Sequence, residues 1–473
     1  MIFRFFRIND PYRLLGLFIL LLLISLPFFI DPVSISHQEL KNLVLGEAIA
    51  KGKLMYIQVI DFTAPMAAGI FALADWIFGR SLIARETLAL AIIFFQASFF
   101  AILLIHNNAY NDSTYVPALI FGVLCFFSFD MLSFSPELLA STVVLLSLNN
   151  LFKEIEFRSQ RDEITLNLGV YLGVATLLVF SYAIFLLATL LILFIFTRPS
   201  PRKLLLLLFG FALPHALLVT LYYFWGETSS LWRGFYAPNF TVRQDLLMSV
   251  KGIFVLSVLP LTYFVFALFM LNREARFTKY QSQLFQVMFL WMLACFIQIL
   301  VTRELSPHSF ITFVPSLTYF ISHYLLLIRR KWIAEMMLLI FLVGILGISM
   351  LARYHKIQSI TYDRLLVSES PYCADVKNER VMVITDDIGI YKQNRLAGFF
   401  LDWRLSREIL ERPDYYENVI LVNDAFQLDP PDVIVDPQNL MKQFFERIPS
   451  LGVMYKREGT LYRKSVSTPK VSN

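Results

Sequence analysis

The chain has 473 residues, 57% hydrophobic and only 16% charged, with a formal net charge of +5. Soluble domains run at roughly 45–50% apolar and about 25% charged, so this composition excludes a chain that covers itself with a water-soluble surface. The apolar excess lies in long runs, and the basic residues fall in short tracts between them, which argues against a nucleic-acid partner.

In chain order, the first apolar run covers about 14–30. No small-residue cleavage site follows it, only DPVSISHQEL, so it reads as a retained anchor with Arg4, Arg7 and Arg13 on the cytoplasmic side. Further spans are expected at roughly 84–105, 115–131, 134–150, 165–180, 182–197, 204–225, 252–271, 283–301, 309–328 and 333–352. The expected fold class is a polytopic α-helical membrane protein, a bundle of about 11 transmembrane helices. Charge placement supports that order. The N-terminus and the tracts 153–161, 198–203, 273–279 and 329–331 each carry three Lys or Arg, whereas the opposite side carries nine over longer segments. One long helix over 165–197 would invert every later loop and put RPSPRK outside, so a hairpin is preferred there. Mid-segment prolines at 117, 214, 260 and 315 suggest kinks.

Two non-cytoplasmic regions emerge: a loop over 31–80 and a tail after 353. The membrane domain is therefore 1–353, including that loop, and the tail 354–473 is a second domain. Within the loop, TAPMAAGIFALADWIFG suits a helix lying in the membrane interface with Trp76 near the headgroups. The tail reads as a small extracytoplasmic α/β domain. RVMVITDD, NVILVND and PPDVIVD are expected strands, AGFFLDWRLSREILE and DPQNLMKQFFERIP helices, and GVMYKREGTLYRKS a terminal hairpin. No Gly-rich phosphate loop accompanies the strands, and the three cysteines form no disulfide framework.

Polar groups gather in the first loop: His37, Gln38, Glu39, Glu47, Lys53, Tyr56, Gln58 and Asp61. A carboxylate there is suited to act as general base toward an acceptor hydroxyl, with cations neutralising a departing phosphate. An ordinary solvated loop has the same residue types, and Asp61 equally suits the N-cap of the helix that follows. Arg303, Glu304 and His308 stand at the outer end of a span, where Arg303 and His308 suit a phosphate. Arg85 has the same reading, with snorkelling as the plain alternative. No HExxH or dense ligand cluster is present. The residues point to no particular cofactor, and a single divalent cation held by carboxylates stays compatible with the sequence.

The segment HQELKNLVLGEAIAKGKLMYIQVIDFTAPMAAGIFALADWIFGRSLIARETLAL resembles the first loop of the GT-C membrane glycosyltransferases, in particular bacterial relatives of protein O-mannosyltransferases and aminoarabinose transferases. The matching features are Gln38-Glu39, Gly52 through Tyr56, Asp61, Pro65, Phe78-Gly79 and Ala84-Arg85, with SPHSFITFVPSLTYF similar to the late-loop pattern. The resemblance implies a GT-C-like bundle and inverting glycosyl transfer from a polyprenyl-phosphate-linked sugar to a lipid, glycan or protein acceptor, at the outer face of a bacterial inner membrane. It implies Glu39 near the donor–acceptor junction and Arg303 or His308 at the carrier phosphate; taken with the polar residues above, Glu39 and Asp61 are the candidate catalytic carboxylates, and His37, Lys53, Tyr56, Arg85, Arg303 and His308 the candidate substrate-binding residues. Membrane lipids, and envelope proteins reached through 354–473, are the other implied partners. The chain departs from the family pattern where Gln38-Glu39 replaces an Asp-Glu pair and Arg85-Glu86-Thr87 an Arg-Leu-Pro. These departures keep two alternatives open: a catalytically degenerate scaffold of an envelope assembly, and a transporter of lipid-linked polymer.

Overall fold

The computed structural model describes residues 1–31, 34–157, 161–240, 244–274, 277–360, 362 and 364–465. Arg158, Arg243 and Arg276, counted in the charge pattern, lie outside the described residues. The chain separates into two compact units. A membrane unit comprises Met1–Val33, Ser81–Leu221 and Thr241–Leu365, and a second unit, named the outer unit for the side proposed for it below, comprises Ser34–Arg80, Tyr222–Phe240 and Leu366–Asn473. The first loop, expected within the membrane domain, thus clusters with the tail.

Among the described residues, eight helices are long and apolar enough to cross a bilayer. They are Arg13–Ile30, Leu82–His106, Pro136–Phe157, Pro201–Phe224, Val250–Glu274, Lys279–Val301, the continuous run Pro307–Leu327, and Lys331–Arg353. The chain is a multi-pass membrane protein. The other three expected spans form shorter helices, Val116–Leu124, Asp162–Leu178 and Ile184–Phe196. The backbone is extended at Val179 (φ −145°, ψ 111°), which divides the 165–197 run into two helices rather than one. Pro117, expected to kink a span, stands in a first turn, where a missing N–H costs nothing; Pro315 stands where the 3-10 turns Pro307–Phe313 pass into the α-helix Val314–Leu327, and Pro214 and Pro260 lie inside helices.

The span expected over 115–131 stops at Cys125 because the sequence that follows, FFSFDMLSFS, offers its own polar partners. Ser128 Oγ donates to Asp130, and Ser135 Oγ accepts from the Leu138 backbone N–H at 3.2 Å. Such side-chain bonds compete with helix propagation. Elsewhere in this unit, Gly169 faces the backbone of Leu207 so closely that a Cβ would stand 2.2 Å from its carbonyl oxygen. Small residues at such a contact let membrane helices approach.

In the outer unit, Ser36 caps the helix His37–Ala50, accepting from the Glu39 N–H at 3.1 Å. This helix packs on Pro65–Phe78, a 14-residue helix that is too short to span and exposes Trp76. The contact is close at Gly46, where a Cβ would lie 2.6 Å from the Phe71 carbonyl oxygen. The tail builds a five-stranded sheet in the order Arg395–Leu396, Arg380–Val383, Val433–Val435, Leu461–Lys464 and Tyr455–Glu458. The first three strands run parallel, and the last two form the expected hairpin, turning at Gly459 with φ 67°. NVILVND is helical, inside Tyr416–Leu428, and not a strand. Its buried Val422, Ala425 and Phe426, with Val419 half-buried beside them, recur at helical spacing against Met382 and Ile434 of the sheet.

Candidate functional site

The outer unit concentrates its ionisable groups around the helix His37–Ala50. Lys41 is buried and reaches two carboxylates, Asp61 Oδ2 at 2.9 Å and Asp402 Oδ2 at 2.8 Å. Its ammonium also lies 3.9 Å from the centroid of the Phe62 ring, and the Arg404 guanidinium lies 4.8 Å from the same ring. Asp402 in turn caps the helix Trp403–Leu410, accepting from the backbone N–H groups of Arg404 and Leu405. Burial raises the Asp402 carboxyl, but Lys41 and Arg404 outweigh it and hold it well below the usual carboxylate range.

A second cluster forms on the last turns of the same helix. Glu47 is buried and accepts from Arg80 Nε at 2.9 Å and Nη2 at 2.5 Å, from Lys51 Nζ at 2.5 Å, and lies 3.3 Å from Arg395 Nε. Burial opposes its charge, and Lys51 and Arg80 overcome that and lower its pKa. Lys53 pairs with Asp429 and donates to the Gly398 carbonyl at 2.7 Å. Burial lowers its pKa, with Asp429 opposing the shift.

The expected site residues of this unit separate accordingly. His37 and Glu39 stand half-buried in the first turn of their helix. Lys53 is committed to Asp429. Tyr56 is buried, in the left-handed region at φ 64°, and donates from its hydroxyl to the Thr63 carbonyl at 2.5 Å. Burial pushes that hydroxyl well above its ordinary pKa. Asp61 is fully buried, accepts from the Thr63 N–H at 2.7 Å and faces Lys41, so it does not cap the helix Pro65–Phe78. Proline in that first turn needs no such cap.

The membrane unit carries a different cluster. His308 Nε2 lies 3.1 Å from Ser133 Oγ and 3.4 Å from Asp130 Oδ2, and all three side chains are buried. A string of polar contacts continues from the neighbouring helix ends: Gln298 Nε2 donates to Ser181 Oγ at 3.1 Å and to Thr302 Oγ1 at 2.7 Å, and Thr312 Oγ1 donates to Gln298 Oε1 at 3.2 Å. Arg85 is buried in the first turn of Leu82–His106, and Arg303 is half-buried beside the short strand Glu304–Leu305. Next to the His308 cluster, an apolar groove of about 440 Å³ opens between Val250–Glu274 and Lys279–Val301, with Phe127, Phe254, Phe289, Phe310 and Phe313 among its walls. Phe127 packs edge-on against Phe310 at 6.4 Å, three residues from Asp130 and two from His308.

Of the expected residues, then, His308 joins a buried cluster, while Lys53, Tyr56 and Asp61 brace the outer unit. Sequence reasoning passed over Asp130, Ser133, Lys41, Asp402 and Arg404. Asp130 carried a legible signal, since an ionisable residue within so apolar a run is by default a functional one. Among the described residues, no group of three or more His, Cys, Asp or Glu side chains is placed to hold a metal ion.

No family model matches the sequence, and no curated protein matches it. Solved structures do match the fold. ArnT from Cupriavidus metallidurans bound to undecaprenyl phosphate superimposes with a TM-score of 0.55 at 10% identity, covering 96% of this chain and 99% of that one. The apo state of the same protein gives 0.53 at 12% identity, over 95% and 97% of the two chains. The Archaeoglobus fulgidus oligosaccharyltransferase in the apo form is a looser likeness, with a TM-score of 0.49 at 11% identity over 97% and 75%. The chain shares its overall fold with ArnT, a multi-pass helical bundle, and carries a small α/β region at its C-terminal end.

Proposed function

We propose that this protein transfers a glycosyl group from a polyprenyl-phosphate carrier to a lipid, glycan or protein acceptor, with inversion, at the outer face of a bacterial inner membrane. The N-terminus is then cytoplasmic and the tail periplasmic. The observation that carries this reading is the aromatic-walled groove of the membrane unit, whose Phe127–Phe310 wall adjoins the buried Asp130–His308–Ser133 cluster. An apolar groove beside buried polar groups suits a prenyl chain with a phosphate at its end. The likeness in fold to ArnT bound to undecaprenyl phosphate supports the same carrier.

In this reading the acceptor oxygen attacks the anomeric carbon as the bond from that carbon to the phosphate oxygen breaks. The acceptor proton passes to a carboxylate, and polyprenyl phosphate leaves with the bonding electrons. Glu39 is the proposed base, because the Asp61 carboxylate is already held by Lys41 and the Thr63 N–H. Within the membrane unit, Arg85, Arg303 and His308 are the proposed partners of the carrier phosphate.

The burial of Asp61 also favours a second reading, a GT-C scaffold that has lost catalysis and binds envelope proteins through 354–473. The two separate in one assay. Protein reconstituted in liposomes is given polyprenyl-phosphate sugars and candidate acceptors, as wild type and as Glu39→Gln. Transfer reduced on the order of 10²–10⁴-fold in the variant is expected of a general base. No transfer from any donor, with an unchanged cellular phenotype for Glu39→Gln, overturns the enzymatic reading in favour of the scaffold.

A further inference from the structure

The outer unit contains a recess of about 370 Å³ whose walls carry four cations, Lys51, Lys53, Arg380 and Arg395, against two carboxylates, Glu47 and Asp429. With Arg80 behind Glu47, five cationic side chains converge on two anions. Arg380 and Arg395 are also register partners on adjacent parallel strands, so two like charges stand side by side at the sheet edge. Asp429 beside Arg380 and Glu47 beside Arg395 offset part of that repulsion, and the cations around them remain in excess. Lys51, Arg380 and Arg395 keep 51%, 44% and 64% of their side-chain surface exposed, so each side chain reaches solvent while Lys51 Nζ holds Glu47 and Arg380 Nη2 holds Asp429. Arg395 meets Glu47 through Nε at 3.3 Å, and among the described residues its two terminal nitrogens make no hydrogen bond. Gly52 lies at the rim with φ 94°, and no atom would come within 4 Å of a Cβ there, so the mouth is open. The floor is apolar, formed by Val44, Leu396 and Phe399.

We propose that this recess binds a phosphate monoester or pyrophosphate group, held by Lys51, Arg380 and Arg395. The guanidinium fork matches phosphate oxygens in pairs, and a surplus of three cations favours an anion of more than one charge. Glu47 and Asp429 fix the cations in the walls, and the apolar floor takes the body that carries the phosphate. Two sources share this chemistry, a lipid headgroup and a soluble ester. The inference does not depend on sugar transfer, because it concerns binding by the outer unit alone.

The test uses the full chain. In detergent, the protein is titrated calorimetrically with pyrophosphate; in phosphatidylcholine nanodiscs, its melting temperature is followed with and without phosphatidic acid. Saturable pyrophosphate binding is expected, weakened on the order of tenfold in Arg395→Gln and in Lys51→Gln. Arg463→Gln, on a strand outside the recess, is expected to bind as wild type does. Stabilisation by phosphatidic acid that disappears in Arg395→Gln and Lys51→Gln supports the recess with a lipid headgroup as its ligand. Binding of pyrophosphate without that stabilisation supports it with a soluble ester. No saturable binding in either arm, or an equal loss in Arg463→Gln, overturns the proposal.

Discussion

Lys41 stands between two buried carboxylates, and removing its charge strands both of them. Lys41→Met is expected to destabilise the outer unit by about 3–5 kcal/mol, the usual range for breaking a buried pair from one side. Thermal unfolding followed by limited proteolysis of the loop 34–80 checks it. The pH dependence has a definite sign. Asp402 has a folded-state pKa below its unfolded value of about 3.9, so its stabilisation is fully present above that value and is lost as pH falls through the folded one. The wild-type melting temperature should therefore be flat in Asp402's contribution near neutrality and fall in strong acid, with a weaker fall in Lys41→Met. Little of this cluster was legible in the sequence. Lys41 and Asp402 are 361 residues apart, and a long-range ion pair leaves no local pattern. Glu39 and Asp61 drew attention because carboxylates suggest chemistry; only the fold shows that Asp61 is already held by a cation.

Helices were the most legible elements, because apolar runs of span length admit few other structures in a bilayer. The misreadings have physical causes. NVILVND is β-rich within five residues, and its helical face emerges only when Ala425 and Phe426 are included. The 115–131 run was counted as apolar, yet Ser128 and Asp130 bond each other and end the helix early. The pairing of His37–Ala50 with Pro65–Phe78 depends on one glycine. Gly46→Val would drive its side chain into the Phe71 carbonyl, and overpacking of this kind costs about 1–3 kcal/mol. A lower melting temperature, with the membrane helices unchanged by far-ultraviolet circular dichroism, is the expected outcome. An unchanged melting temperature would contradict the close approach.

Across the whole molecule, composition and charge anticipated a membrane bundle with an α/β tail, but not that the first loop and the tail form one compact unit. Their strands and loops meet through Ile60 beside Phe400 and Ser36 beside Leu366, contacts between segments too distant in sequence to be read from either. The proposed orientation is testable at Val453, which is 83% exposed. In a Cys373→Ser background, Val453→Cys should react with a membrane-impermeant maleimide in intact cells, and reaction only after lysis would contradict a periplasmic tail. The central claim is that the membrane unit holds a polyprenyl phosphate, and native mass spectrometry of purified protein tests it most directly. Wild type should retain one polyprenyl phosphate in preference to the corresponding alcohol, and Ser257→Phe, which fills the groove, should lose it. No retention by wild type, or equal retention by Ser257→Phe, would contradict the claim.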